Sequence, residues 1–274
     1  MSGACRSFRW ACSLAVMGAS AGCTELAPGE DTLGKSENPN LPPVDPVDPV
    51  DPRWACLDEP APAGAVALRP TVDLALLITD TSSQKPPDGL VARACSKLDP
   101  TCDRPVANSD VVAVDGAVHL ALQPGFEGFL EISSPTSIPT LFFLNRALWT
   151  DGLELIGVVS PMAFQGLAGY AGVTLDPQLG HLLIRTFDCA GNRASDVELS
   201  NDSGGAPFIF VDGLPLPGSN VTTEEGQGGF INVPTGFVKL QGTTLEGARL
   251  ISTATVSVRP NWLTYGDIEP AAAP

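Results

Sequence analysis

The sequence predicts an all-β protein: two tandem β-sandwich domains, one short helix connecting them, and a disordered stalk in front. Three observations carry this expectation. Apolar and polar residues alternate with a period of two over short segments. Turn-forming residues recur at strand-like intervals. The chain has 28 Gly and 26 Pro against only four lysines, which leaves little room for long amphipathic helices.

The N-terminal segment gives an address before it gives a structure. Arg6 and Arg9 precede an apolar run from Trp10 to Ala19, and Ser20, Ala21 and Gly22 lead into Cys23. That is the layout of an export signal over residues 1–22. The run is too short to cross a bilayer, which takes roughly 20 apolar residues. Ala-Gly-Cys at 21–23 resembles the lipobox of bacterial lipoproteins, and the resemblance implies lipid attachment at Cys23. That family usually has Leu where this chain has Ser20, and Ala19-Ser20-Ala21 also fits an ordinary secretory cut after Ala21. Thr24 in place of Asp implies an outer-membrane lipid-anchored destination, with secretion as the alternative.

Residues 23–55 read as a linker. From Thr24 onward they hold seven prolines and seven acids against Lys35 and Arg53, and close on three Val-Asp-Pro repeats. Such a segment cannot bury a core and is expected to be disordered. Each Asp before Pro is pushed toward polyproline II, which stiffens the stalk. Its reach runs from roughly 30 Å as a coil to on the order of 100 Å as a polyproline rod.

Charge narrows the partners. Loss of Arg6 and Arg9 with the signal takes the formal net charge from −16 to −18. The few basic residues are scattered, which argues against nucleic acid and against bare anionic lipid. The expected partners are the membrane, through the anchor, and a glycan or another envelope protein. The oligomeric state is left open.

Within the body, Val118, Leu120 and Leu122 share one face of a strand over 117–123, with His119 outward, and Pro124-Gly125 turns into a second strand over 128–133. Ala254, Val256 and Val258 alternate inward over 253–259. Runs 140–144 and 208–211 are apolar on both faces and belong inside a sandwich. Turns are marked by Asp115-Gly116, Ala190-Gly191-Asn192, Asp212-Gly213 and Pro234-Thr235-Gly236. Ser160 caps and Pro161 opens a helix over 161–171, which Gly172 stops. The layout is a first sandwich over 56–158, a connecting helix and loop over 159–175, and a second sandwich over 176–270.

Two segments of the second half carry a family likeness. Gly180-His-Leu-Leu-Ile-Arg-Thr-Phe-Asp-Cys-Ala-Gly-Asn-Arg and Gly229-Phe-Ile-Asn-Val-Pro-Thr-Gly-Phe-Val, with Val258-Arg-Pro, resemble the carboxypeptidase regulatory-like domain. The resemblance implies a transthyretin-like, prealbumin-like Greek-key sandwich, and residues 57–150 echo it as a second copy. That domain is a non-catalytic companion of zinc carboxypeptidases. Here only His119 and His181 exist, followed by Leu-Ala-Leu and Leu-Leu-Ile, so the His-x-x-Glu pair of such a zinc site is missing. Transthyretin-like hydrolases end Tyr-Arg-Gly-Ser, which this chain lacks. The strand over 179–187 has no Lys for the isopeptide bond of surface adhesins, and Lys239 sits in a later strand.

Other chemistry is thin. Neither His has a Ser and a carboxylate at triad spacing. Asp188, Asp202, Asp212, Glu224 and Glu225 suggest turn formation rather than calcium, since no D-x-D-x-D-G loop holds them. Trp149, Trp262 and Tyr265 either close the core or form a sugar platform. No cofactor, metal site or catalytic residue is expected.

Cysteines agree with export. Cys5 and Cys12 leave with the signal and Cys23 takes lipid, leaving four in an oxidising compartment. Four cysteines permit three connectivities. Cys95 and Cys102 bracket a short Pro-containing loop worth about 2.5 kcal/mol when closed, so the favoured set joins Cys56 to Cys189. The function expected is a non-catalytic, lipid-anchored envelope protein presenting sandwiches for binding, with a structural spacer or an enzyme of unrecognised site as alternatives.

Overall fold

A computed structural model describes residues 51–58, 70–106, 111–112 and 115–270. The expected signal over 1–22, the lipid site Cys23 and the acidic repeat up to residue 50 lie outside the described residues. Residues 49–274 form one compact unit.

The chain opens on a 3₁₀ turn, Pro52–Asp58, and then runs β1 (Val72–Asp80), β2 (Val91–Ser96), β3 (Val111–Val112), β4 (Ala117–Leu122), β5 (Phe126–Ser133), β6 (Thr140–Leu148) and β7 (Gly152–Val158). Helix α1 (Pro161–Tyr170) follows. The second half holds β8 (Gly180–Thr186), β9 (Val197–Asn201), β10 (Ala206–Val211), β11 (Leu214–Pro217), β12 (Gln227–Val233), β13 (Gly236–Thr244), β14 (Leu250–Val258) and β15 (Leu263–Ile268).

The all-β sandwich architecture follows from the alternation in the sequence. β4 buries Val118, Leu120 and Leu122, and β14 buries Ala254, Val256 and Val258. The first four residues of β6 are buried on both faces, as a strand with no polar side must be. The turns form as their residues demand, Asp115-Gly116 and Asp212-Gly213 both with positive φ at both positions.

Strands from both halves of the chain share one sheet, and the cores on its two faces each draw on both halves. Nine strands run in the order β11-β10-β12-β8-β15-β6-β5-β2-β3, so both halves of the chain meet at β15. β15 lies parallel to both neighbours, Leu263 opposite Thr140 on one side and His181 on the other. One face of this sheet packs against β4-β1-β7 and α1, with Leu74, Leu76, Leu120, Leu130, Phe142 and Leu183 in that core. The opposite face packs against β14-β13-β9, with Phe129, Leu141, Leu182, Ile184, Val238 and Leu240 between. The second packing is close. A Cβ on Gly242 would sit 2.3 Å from Ile268 Cγ2, so a larger residue would push β13 off the sheet.

The folded body starts before the expected linker boundary at residue 55. Trp54 is only 3% exposed, the Cys189 N–H donates to the Arg53 carbonyl at 3.0 Å, and Arg53 donates to Ser195 Oγ at 2.9 Å. Residues 51–55 are therefore part of the body. An aromatic ring this size gains too much by burial to stay in a stalk.

Two sheet edges, at β11 and β7, are guarded. Val211 and Leu214 flank the two-residue turn and pair directly, which turns the imide nitrogens of Pro215 and Pro217 to the free edge of the nine-stranded sheet. With no N–H there, strand addition at β11 is opposed. β7 pairs with β1 on one side. On its other side the Leu155 carbonyl accepts from Arg185 and the Gly157 carbonyl from the Tyr265 hydroxyl.

Candidate functional site

A concave site lies between α1 and the β10–β11 hairpin. Ser160 caps α1 by accepting from the Ala163 N–H at 3.2 Å, Pro161 starts it, and Gly172 at φ 68° follows its end. Phe164 and Ala168 anchor it to the core. Across from it, the Glu225 carboxylate accepts from the Gly213 N–H at 2.6 Å and the Thr223 hydroxyl donates to the Phe210 carbonyl at 2.7 Å, which fixes the hairpin. Between the two is a cavity of about 540 Å³, floored by Leu183, Leu263 and Tyr265 and walled by Phe164, Leu167 and Phe210. Tyr170 and Leu214 stand at 63% and 60% exposure. Glu225 is the one carboxylate lining it, and no Lys, Arg or His does.

Beside Tyr265, the same face of the central sheet holds a buried charge network. Arg185 donates through Nε and Nη2 to both Asp267 oxygens, each at 2.6 Å, and through Nη2 to Glu154 at 3.2 Å. Its guanidinium lies 4.8 Å from the Phe142 ring centre. Burial opposes the Arg185 charge, but the hydrogen bonds and charge of Asp267 outweigh it and hold the group above its ordinary value. Burial raises Glu154 above the usual carboxylate range against the pull of Arg185, and raises Glu269 in the same way against Arg146. Burial also pushes the Tyr265 phenol up.

His181 is 1% exposed. Its ring packs 4.5 Å from that of Phe164 and its Nδ1 accepts from the Asn232 N–H at 3.2 Å. Asn232 sits at the β12 bulge with φ 58°. Burial lowers His181 from 6.5 to about 4. The unfolded chain therefore binds a proton between those pH values that the folded chain refuses, and stability falls as pH drops through that window. Urea melts should show a loss on the order of 2 kcal/mol between about pH 6.5 and 5. In His181→Gln that slope should vanish; an unchanged slope would assign it elsewhere.

The residues singled out in the sequence fall in separate places. The structure has the disulfides Cys56–Cys189 and Cys95–Cys102. Cys95 and Cys102 lie near Glu131, but their sulfurs are bonded to each other. His119 is exposed and faces Asp73 at 3.1 Å. Tyr265 is buried, Trp262 stacks with Arg259, and Trp149 covers Gly125, so the three share no platform. Asp188 accepts from the N–H groups of Ala190 and Asn192 and shapes a turn, while Asp202 ties the end of β9 to β13 by accepting from the Lys239 N–H. The cleft and the Arg185 network were not among the expected sites. Their one trace in the sequence is an Arg inside the apolar run 180–187.

No protein-family model matches the sequence, and no curated protein matches it. Among solved structures the chain is similar to the Bacillus anthracis TIE protein, at 14% identity and a TM-score of 0.24, over 73% of this chain and 34% of that one. It thus spans about a third of that protein. It is also similar to the shaft pilin SpaA of Lactobacillus rhamnosus GG, at 14% identity and TM-score 0.22 over 73% of this chain and 98% of that one. A third likeness is to BcpA, the major pilin subunit of Bacillus cereus, at 10% identity and TM-score 0.24 over 74% of this chain and 99% of that one.

Proposed function

We propose that this chain is an exported, lipid-anchored envelope protein whose rigid, non-catalytic β body binds a ligand in the cleft between α1 and the β10–β11 hairpin. The cleft carries the reading: its volume of about 540 Å³ lies in the range of small-ligand sites, and its walls are apolar with a few polar groups. Its hydroxyls, Thr81, Ser82 and the two tyrosines, have no basic side chain among the lining residues to activate them. The likeness of residues 180–260 to a non-catalytic regulatory-like domain agrees with this. Two disulfides fit an oxidising compartment. No helix among the described residues is long and apolar enough to cross a membrane, and the anchor in this reading is Cys23. The guarded β11 edge weighs against a spacer that polymerises through its strands.

Labelling cells with an alkyne palmitate analogue tests the anchor. The wild-type chain should take up label and partition with the outer membrane, while Cys23→Ala should lose both. Label retained by Cys23→Ala, or a soluble wild-type chain, would refute it.

A further inference from the structure

Helix α1 contains two glycines that its packing does not require. A Cβ built on Gly166 or Gly169 meets nothing within 4 Å, yet each glycine costs a helix about 1 kcal/mol relative to Ala. Gly169 does not line the cleft. Gly166 does, and its missing side chain keeps that wall open.

The chemistry of the wall is one-sided. Phe164, Tyr170, Phe210 and Tyr265 present aromatic surface, and Glu225 supplies the single ionisable carboxylate with no cation to neutralise it. Glu225 is half-buried, and one of its oxygens is taken by the Gly213 N–H. Aromatic faces and a carboxylate attract the same thing, a positive charge on an organic body. The chain's net charge of −16 adds to that bias.

We propose that the cleft binds a small organic ammonium compound, its apolar body over Leu183 and Leu263 and its cation toward Glu225. This rests on the cleft being the binding site, and the experiment separates the two statements. The full chain with labelled leucine methyls is titrated with three isosteric probes: 4-phenylbutylammonium, neutral 4-phenylbutanol and 4-phenylbutanoate. The ammonium should shift the Leu167, Leu183, Leu214 and Leu263 methyls and bind about tenfold more tightly than the carboxylate, a difference of ~1.4 kcal/mol. Glu225→Gln should erase that preference. Gly166→Leu should abolish binding while melting no lower than wild type, and Gly169→Ala should melt higher and bind unchanged. Equal binding of all three probes by the wild-type chain would overturn the charge preference and leave the cleft as the site. No shift with any probe, or undiminished binding by a folded Gly166→Leu, would overturn both.

Discussion

Replacing Cys56 and Cys189 together by Ala should lower stability by about 4 kcal/mol and the melting temperature by roughly 10 °C. The bond joins residues 133 apart, and opening so long a loop restores about 5 kcal/mol of chain entropy to the unfolded state in the simplest treatment. It also holds the 3₁₀ turn. Without the sulfur bridge, the segment around Trp54 still has that ring's burial, the bond from the residue 189 N–H to the Arg53 carbonyl and the Arg53 contacts with Ser195 and Asp196. Cys95→Ala/Cys102→Ala opens a loop of separation 7 and should cost about half as much. Urea melts of both double variants against wild type decide the matter. Equal losses would mean that loop length is not what the longer bond controls.

Arg185→Met should destabilise by about 3–5 kcal/mol, because it leaves Asp267 and Glu154 with buried charge and no partner. The accompanying change, Arg185→Met/Asp267→Leu, should recover much of that loss, since an apolar pair of similar size needs no solvation. Acid should help the single variant. Glu154 already sits above its ordinary value because of burial, and losing the opposing Arg185 raises it further. A carboxyl whose folded value lies above the unfolded one favours folding once protonated, so its contribution is largest at low pH and lost as pH rises through the folded value. The deficit relative to wild type should therefore shrink from pH 7 toward pH 5. His181 titrates in both proteins and cancels in the difference. A deficit that stays constant with pH would show that lost packing, not stranded charge, is the cause.

What could be read from the sequence was local. Strands β4 and β14 follow from alternation within their own residues, α1 from Ser160, Pro161 and Gly172, and the hairpin turn from Asp212-Gly213. The disulfides followed from a count of four cysteines and one short loop. The Arg185 network could not be read this way. Arg185, Glu154 and Asp267 come from three strands far apart in sequence, and each alone reads as an ordinary charged residue. The linker boundary misled for a physical reason: Asp51-Pro52 continues the Val-Asp-Pro repeat, so nothing local distinguishes it from stalk, whereas Arg53 and Cys56 find partners more than 130 residues away. The cleft was hidden because its walls, α1 and the β10–β11 hairpin, meet only after folding.

The position of β15 sets the timing of assembly. Every other described strand precedes Leu263–Ile268 in the chain, yet those six residues are the wedge between β6 and β8. Without them, β6 and β8 would each lack the neighbour that joins them. Long-range closure of this kind is slow. The central sheet therefore stays open in the middle until its joining strand is made.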